Sequence, residues 1–298
     1  MFAVIDIGTN SVLLLVATWV GKKFRVIRDE ARITRLGEGL HRNQHLLESA
    51  MRRTLQALQG YQELCRQHSV KKTVAVGTAA LRKAKNGREF AQQLAQHFDW
   101  EVKIISGEEE ARLSYLSVKN DFSKRYSNLV ALDIGGGSTE IISKGGAVSL
   151  ELGTVVLSEK IFRHDPVTNE EVQEAEKTIR DRLITPPHPP SYLKRGALIA
   201  LAGTATTLSS INQKLARWDP EKIQGSTITL QELEAMIALL RSTKNEARKT
   251  IVGMVPGRED TLLAGSLILH EVMKSLGVDS VVVSDRGLRY GIFYDRFS

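Results

Sequence analysis

The chain has little of the chemistry on which several protein classes depend. Cysteine occurs once, as Cys65, in 298 residues, so no disulfide framework and no cysteine-ligated metal site can be built within it. Cys65 falls on the apolar face of a predicted helix and reads as small core filler, not as a catalytic thiol. Aromatic residues make up 6% and seldom alternate with basic ones, which argues against a platform for stacking single-stranded nucleic acid. No helix-turn-helix, zinc-ligand or RNA-binding pattern accompanies the positive charge, so nucleic acid is not an expected partner. No apolar run reaches membrane-spanning length. No basic leader precedes the first strand-like run, Phe2–Ile5, and the expectation is a cytoplasmic protein away from membranes. Acidic residues are outnumbered. The formal charge is +7, with clusters at Arg25, Arg28, Arg32 and Arg35 and at Arg82, Lys83, Lys85 and Arg88, which suits a polyanionic partner.

What the chain does have is one short turn written twice. Asp6-Ile7-Gly8-Thr9-Asn10-Ser11 and Asp133-Ile134-Gly135-Gly136-Gly137-Ser138-Thr139-Glu140 each follow a buried strand-like run (Phe2–Ile5, Leu129–Leu132), and each leads into another (Val12–Ala17, Glu140–Ser143). Each reads as a β-hairpin with a turn of glycine and hydroxyl residues. Such a turn suits phosphate, because glycine lets the backbone approach an anion closely while successive N–H groups and hydroxyls donate to its oxygens. Asn10, Ser11, Gly135, Gly136, Gly137 and Ser138 are the predicted donors. Asp6 and Asp133, at the strand ends, supply hard oxygen ligands for Mg²⁺, directly or through water; Glu140, at the start of the outgoing strand, either faces solvent, as a carboxylate there more often does, or joins them. One Asp-x-Gly turn is also an ordinary way to end a strand; two on matching strands are harder to explain that way.

The order of elements is that of an α/β protein. A third strand (Phe24–Ile27), an amphipathic helix (Leu46–Cys65), a strand (Thr73–Val76), a helix (Arg88–Phe98) and a strand (Glu101–Ile105) follow the first hairpin. The second half repeats the opening, with a third strand at Ala147–Glu151 and helices near Val155–Arg163 and Thr168–Ile184. An extended proline-rich connector, Thr185–Pro190, comes next. Beyond it are a strand (Ala197–Leu201), a helix opened by Ala202-Gly203-Thr204, helices near Leu230–Arg241 and Arg258–Leu276, a strand (Ser280–Ser284) and a last helix from Leu288. The chain reads as a duplicated α/β unit with a cleft between the copies, residues 1–124 and 125–298, the last helix able to pack back on the first domain. His41 and His45 have the spacing of two helical metal ligands but lack the following glutamate, and read as surface residues. Gly253–Gly257 reads as a helix end.

The two hairpins followed by Ala202-Gly203-Thr204-Ala205-Thr206-Thr207 resemble the turns that surround a phosphate chain in the actin and sugar-kinase superfamily. Thr34-Arg35-Leu36-Gly37, Gly77-Thr78-Ala79-Ala80-Leu81-Arg82, Ser106-Gly107-Glu108-Glu109-Glu110-Ala111-Arg112, Ser149-Leu150-Glu151-Leu152-Gly153 and Ser284-Asp285-Arg286-Gly287-Leu288-Arg289-Tyr290-Gly291 narrow the likeness. Together they are similar to the exopolyphosphatase and guanosine pentaphosphate phosphohydrolase family (Ppx/GppA), in its short two-domain form. The resemblance implies two actin-like (ribonuclease H-like) domains flanking an interdomain cleft. It also implies Mg²⁺ as cofactor and removal of terminal phosphate from inorganic polyphosphate or guanosine pentaphosphate. A homodimer is compatible with it.

Hydrolysis of a phosphoanhydride needs an aligned water, a group to hold it, and positive charge around the transferring phosphoryl group. Glu110 opens a helix after a strand, and the resemblance implies that it holds the water, with Asp133 acting beside it on the metal. Acidic residues in a first helical turn also meet the helix dipole favourably, an alternative account of Glu108, Glu109 and Glu110 together. Arg82 can fork onto phosphate oxygens, and Gly203 with Thr204 forms a third anion turn at a helix N-terminus. A kinase of the same superfamily and a non-catalytic sensor of polyphosphate or guanosine tetra- or pentaphosphate remain alternatives at this level.

Overall fold

The structure, a computed structural model, describes residues 1–21, 23–184 and 197–297. The chain falls into two compact units, Met1–Leu116 with Leu288–Ser298, and Ser117–Gly287. The sequence reading put one break after residue 124; the observed division falls inside a helix, and the chain from Leu288 belongs with the first unit.

In the first unit, β1 (Phe2–Ile7), β2 (Ser11–Val20), β3 (Lys23–Ile33), β4 (Lys72–Gly77) and β5 (Glu101–Ile104) form one sheet in the order β3-β2-β1-β4-β5. Strand β3 is longer than its apolar run suggested, because it pairs with β2 all the way to Ser11↔Ile33 and backbone pairing carries its charged residues along. The helices are α1 (Leu40–Asn43), α2 (Glu48–Gln67), α3 (Ala79–Lys83), α4 (Gly87–Phe98) and, as far as Leu116, α5 (Gly107–Phe122). Alternation along β1 sends Ala3, Ile5 and Ile7 to a core completed by Leu58 and Tyr61 of α2 and Phe90 and Leu94 of α4. Val4 points to the opposite core, which holds Leu113 of α5 and Phe293 of the last helix. Asp6 shares the parity of Val4 and so lies on the α5 side of the sheet, at the C-terminal end of β1. Cys65 is buried against α2's core face, and burial pushes its thiol up to about 11, which keeps it protonated and inert at neutral pH.

The second unit repeats this plan. Strands β6 (Leu129–Ile134), β7 (Thr139–Ser143), β8 (Gly146–Leu150), β9 (Ala197–Leu201), β10 (Thr227–Thr229) and β11 (Ser280–Val283) form a sheet ordered β10-β11-β9-β6-β7-β8. The order third-second-first-fourth is the same in both sheets; beyond it the first sheet adds β5, whereas in the second the last strand in the chain, β11, pairs with β9 and β10 takes the edge. The helices are α6 (Thr154–Ile161), α7 (Asn169–Ile184), α8 (Ala202–Asn212), α9 (Pro220–Ile223), α10 (Leu230–Ser242), α11 (Asn245–Arg248) and α12 (Leu262–Leu276). Two sequence expectations need correction here. Helix α12 begins at Leu262, not Arg258: Gly257 takes φ +87°, and the Arg258 and Thr261 amides close turns onto Val255 and Arg258. Gly253–Gly257 ends no helix but is part of that loop; Gly253, at φ +92°, lies so close to the Ser210 carbonyl that a Cβ would meet it at 2.3 Å. The proline-rich connector lies outside the described residues.

The last helix, α13 (Leu288–Phe297), packs on the first sheet through Phe293, whose ring centroid lies 5.1 Å from that of Phe24. Its polar anchor is Asp29 of β3, which accepts from Arg289 Nε and Nη2 at 2.8 Å each and from the Tyr290 hydroxyl at 2.7 Å. Breaking a part-buried charge pair of this kind strands the remaining cation. Asp29→Ala is expected to cost the first unit about 2 kcal/mol, read as a lowered urea midpoint; an unchanged midpoint would show that α13 is held by its aromatic contacts alone.

Candidate active site

The two predicted hairpins share one geometry. In the first, Gly8 N–H donates to the Ser11 carbonyl at 3.0 Å, and the flanking pairs are Ile7↔Val12 and Asp6↔Leu13. In the second, Gly135 N–H donates to the Ser138 carbonyl at 2.9 Å, flanked by Ile134↔Thr139 and Asp133↔Glu140. Each turn rests its carbonyls on the loop that follows the third strand of its sheet. Thr34 and Arg35 N–H donate to the Asn10 carbonyl, and Gly37 N–H to that of Thr9. Likewise Thr154 and Val155 N–H donate to the carbonyls of Gly135 and Gly136. Glycine is required at both supports: a Cβ on Gly37 would meet Thr9 Cγ2, and one on Gly153 the Gly136 carbonyl, each at 2.3 Å. With the carbonyls committed to these supports, the donor side of each turn is the one left to meet an anion. Asn10 carries a further mark of a polar binding site. It is 6% exposed, and neither amide atom of its side chain has a hydrogen-bond partner among the described residues, a costly state for a buried amide.

Glu110 and Arg82, predicted separately, meet. Arg82, on α3 directly after β4, donates from Nη1 to Glu110 Oε2 at 3.0 Å and to the Ile105 carbonyl at 2.8 Å. Both side chains are largely buried, at 25% and 12% exposure. Ser106 caps α5 by accepting from Glu109 N–H, which fixes where each of the three glutamates points. Glu109 is tied to Lys103 Nζ at 2.9 Å, and Glu108 is exposed, so Glu110 is the member of the trio held on Arg82. Sequence reasoning gave Arg82 to phosphate alone; here it also orients the Glu110 carboxylate.

In the second unit the sheet register sets Asp133 directly opposite Glu140. Paired residues of antiparallel strands share a face, and like charges so placed destabilise the sheet. Glu140 is 1% exposed and accepts from Ser149 Oγ at 2.8 Å. Among the described residues no three His, Cys, Asp or Glu side chains form a metal-holding group by themselves. Mg²⁺ does not require one, since it is commonly bound by one or two carboxylates and completes its octahedron with waters and phosphate oxygens. The Asp133–Glu140 pair fits that demand, and Asp6 occupies the corresponding strand end of the first unit.

The third turn, Gly203 and Thr204, lies in the first turn of α8. Thr204 is buried with its hydroxyl against the position a Cβ would take on Gly265 of α12, so its side chain serves packing and only its backbone belongs to the first turn of α8. Gly203 faces Arg258: a Cβ there would lie 1.9 Å from the guanidinium carbon. Arg258 is half-buried, and desolvation pushes its pKa down to about 10. Among the described residues no carboxylate or carbonyl pairs with its guanidinium. A bare cation at the positive end of a helix dipole is unfavourable on both counts and becomes favourable with an anion between them. Sequence reasoning missed Arg258 by placing it inside α12; the glycine and proline before it were the available signal.

Comparison with known proteins agrees with this architecture. The model of the Ppx/GppA phosphatase family matches residues 15–298. The chain is 31% identical to Exopolyphosphatase 2 of Mycobacterium tuberculosis over 97% of its own length and 96% of that protein's. It is equally identical, over 95% of its length, to a bifunctional 3-dehydroquinate synthase/phosphatase of Fusobacterium nucleatum, of which it spans 44%. The crystal structure of the Aquifex aeolicus Ppx/GppA family member superposes with a TM-score of 0.80 at 30% identity, covering 100% of this chain and 99% of the other. With its two actin-like α/β units, the chain belongs to the Ppx/GppA phosphatase family.

Proposed function

We propose that this protein is a Mg²⁺-dependent exopolyphosphatase that hydrolyses the terminal phosphoanhydride of inorganic polyphosphate and releases orthophosphate, with guanosine pentaphosphate as a second substrate of the same chemistry. The observation that carries the reading is the Glu110–Arg82 pair, a carboxylate fixed in the first turn of α5 on an arginine that follows a parallel strand. Its support is the pair of phosphate turns and the uncompensated Arg258. The name of the M. tuberculosis relative points to the same substrate.

In this mechanism Glu110 orients the attacking water and takes its proton as the new P–O bond forms and the bridging P–O bond breaks. Arg82 keeps the Glu110 carboxylate in place. Backbone donors of the two turns, with Asn10, Ser11 and Ser138, hold phosphate oxygens, while Arg258 and the first N–H groups of α8 hold a further phosphate. Asp6, Asp133 and Glu140 would bind Mg²⁺, which when present offsets charge on the phosphate oxygens. The balance of basic residues and the polymer's regular charge favour polyphosphate over a nucleotide. A cytoplasmic location belongs to the same proposal, because a lone buried thiol suits a reducing compartment.

The test is orthophosphate release from polyphosphate of defined length and from guanosine pentaphosphate, each with Mg²⁺ and with chelator. Release that needs Mg²⁺ and no acceptor supports the reading; strict dependence on a sugar or acid acceptor would indicate a kinase, and tight binding without release a sensor. Gly203→Ala supplies a check on the third turn. The added methyl would displace the Arg258 guanidinium, and KM for polyphosphate is expected to rise about tenfold with kcat little changed. An unchanged KM would remove Arg258 from the site.

A further inference from the structure

Arg248 is the largest side chain among the fully buried residues, at 1% exposure, and it lies outside every group discussed so far. Its guanidinium makes four hydrogen bonds, all to neutral acceptors. Nε and Nη2 donate to the Leu240 carbonyl at 3.0 and 2.6 Å, and Nη1 donates to Asn245 Oδ1 at 2.6 Å and to the Glu259 carbonyl at 2.7 Å. Burying a full charge among carbonyls costs stability that a well-packed apolar side chain would not. Desolvation lowers the Arg248 pKa, with the Asp165 and Asp260 carboxylates opposing it from farther away. Adhesion between α10, α11 and the loop before α12 could be had from leucine or methionine. What an apolar residue could not do is fix one particular carbonyl in space.

That carbonyl belongs to Glu259, the residue after Arg258. The rest of the loop is fastened around the same point. Glu259 Oε1 accepts from Gly257 N–H at 3.0 Å, the Arg258 carbonyl accepts from Thr261 and Leu262 N–H, and Ser158 Oγ donates to the Asp260 carbonyl at 3.2 Å. The peptide units on both sides of Arg258 are therefore pinned, while its guanidinium lies against Gly203 and has no hydrogen-bond partner among the described residues. We propose that Arg248 is a positioning residue for catalysis: by clamping the Glu259 carbonyl it holds the loop that aims Arg258 at the anion-binding first turn of α8. The inference rests on the proposed function, in which Arg258 binds substrate phosphate.

A double-mutant cycle tests it, with Arg248→Lys and Arg258→Ala alone and together, assayed on polyphosphate of defined length. Lysine keeps the charge but cannot bridge Leu240, Asn245 and Glu259 at once. R248K is expected to raise KM about fivefold with kcat within about twofold of the parent. In the R258A background the same change should alter KM by less than about twofold, because there is no guanidinium left to aim. An equal fivefold effect in both backgrounds, or a folded R248K with unchanged KM, would overturn the inference. If R248K does not fold, Asn245→Ala, which removes one acceptor from the guanidinium and leaves the loop untouched, carries the same expectation at about two- to threefold. An R258A enzyme with unchanged KM would overturn the phosphate role of Arg258 itself, and this inference with it. A raised KM for R258A with additive behaviour would overturn the positioning role alone.

Discussion

Replacing Glu110 with glutamine is expected to lower kcat on polyphosphate by about 10³-fold while changing substrate affinity less than about twofold. Glutamine keeps the shape and can still accept from Arg82 Nη1, so the fold around α5 should survive. What it loses is the capacity to take a proton from water. A group acting as general base contributes on the order of 10²–10⁴ in rate, and little else in phosphoryl transfer requires covalent help from the protein. Because Glu110 Oε2 is held at 3.0 Å by Arg82, the loss should fall on turnover and not on binding. Retention of most of the turnover by the variant would move the role to another residue. Glu109 would be a poor substitute, since it is engaged with Lys103.

Asp133→Asn is expected to be nearly as damaging, for a different reason. The register places Asp133 opposite the buried Glu140, and removing one of two facing carboxylates should relieve repulsion and stabilise the ligand-free protein. Activity should move the other way, with kcat reduced about 10²–10³-fold and the Mg²⁺ concentration for half-maximal activity raised about tenfold or more. Opposite signs for stability and activity are the signature of a metal-binding carboxylate. Lower thermal stability with an unchanged Mg²⁺ requirement would make Asp133 a structural residue. The comparison is read from melting in chelator beside a Mg²⁺ titration of phosphate release.

Asp133 could be singled out without a structure, and the reason is local, whereas Glu110 was singled out among the three glutamates of its turn by the resemblance. The hairpins around Gly8 and Gly135 are specified within a few residues: apolar runs of period two, an aspartate at the strand end, and turn residues that tolerate close backbone approach. The duplication was legible because the same signals occur twice. What could not be read was everything that depends on a meeting of distant segments. Arg258 gains its meaning from Gly203, and Arg248 gains its meaning from Glu259 and Leu240. The composition of Arg258-Glu259-Asp260, with acids ahead of an apolar run, reads as a first helical turn; the positive φ of Gly257 and the turn bonds around it override that reading. Nor could the sequence show that the Thr204 side chain lies buried against Gly265 of α12, which leaves the backbone of that turn to meet an anion. The hold of Arg82 on Glu110 was not legible either, because the pair joins α3 to α5 across the end of β5.

The central claim is that water, aimed by Glu110, attacks the terminal phosphorus of a phosphate chain. It is tested most directly by running the reaction in ¹⁸O-labelled water and weighing the orthophosphate released in a single turnover. One labelled oxygen per released orthophosphate is the result expected here, abolished by Glu110→Gln. Orthophosphate released without label would place the attack on the penultimate phosphorus, and phosphate appearing only on an added acceptor would replace hydrolysis with transfer; either result would contradict the account.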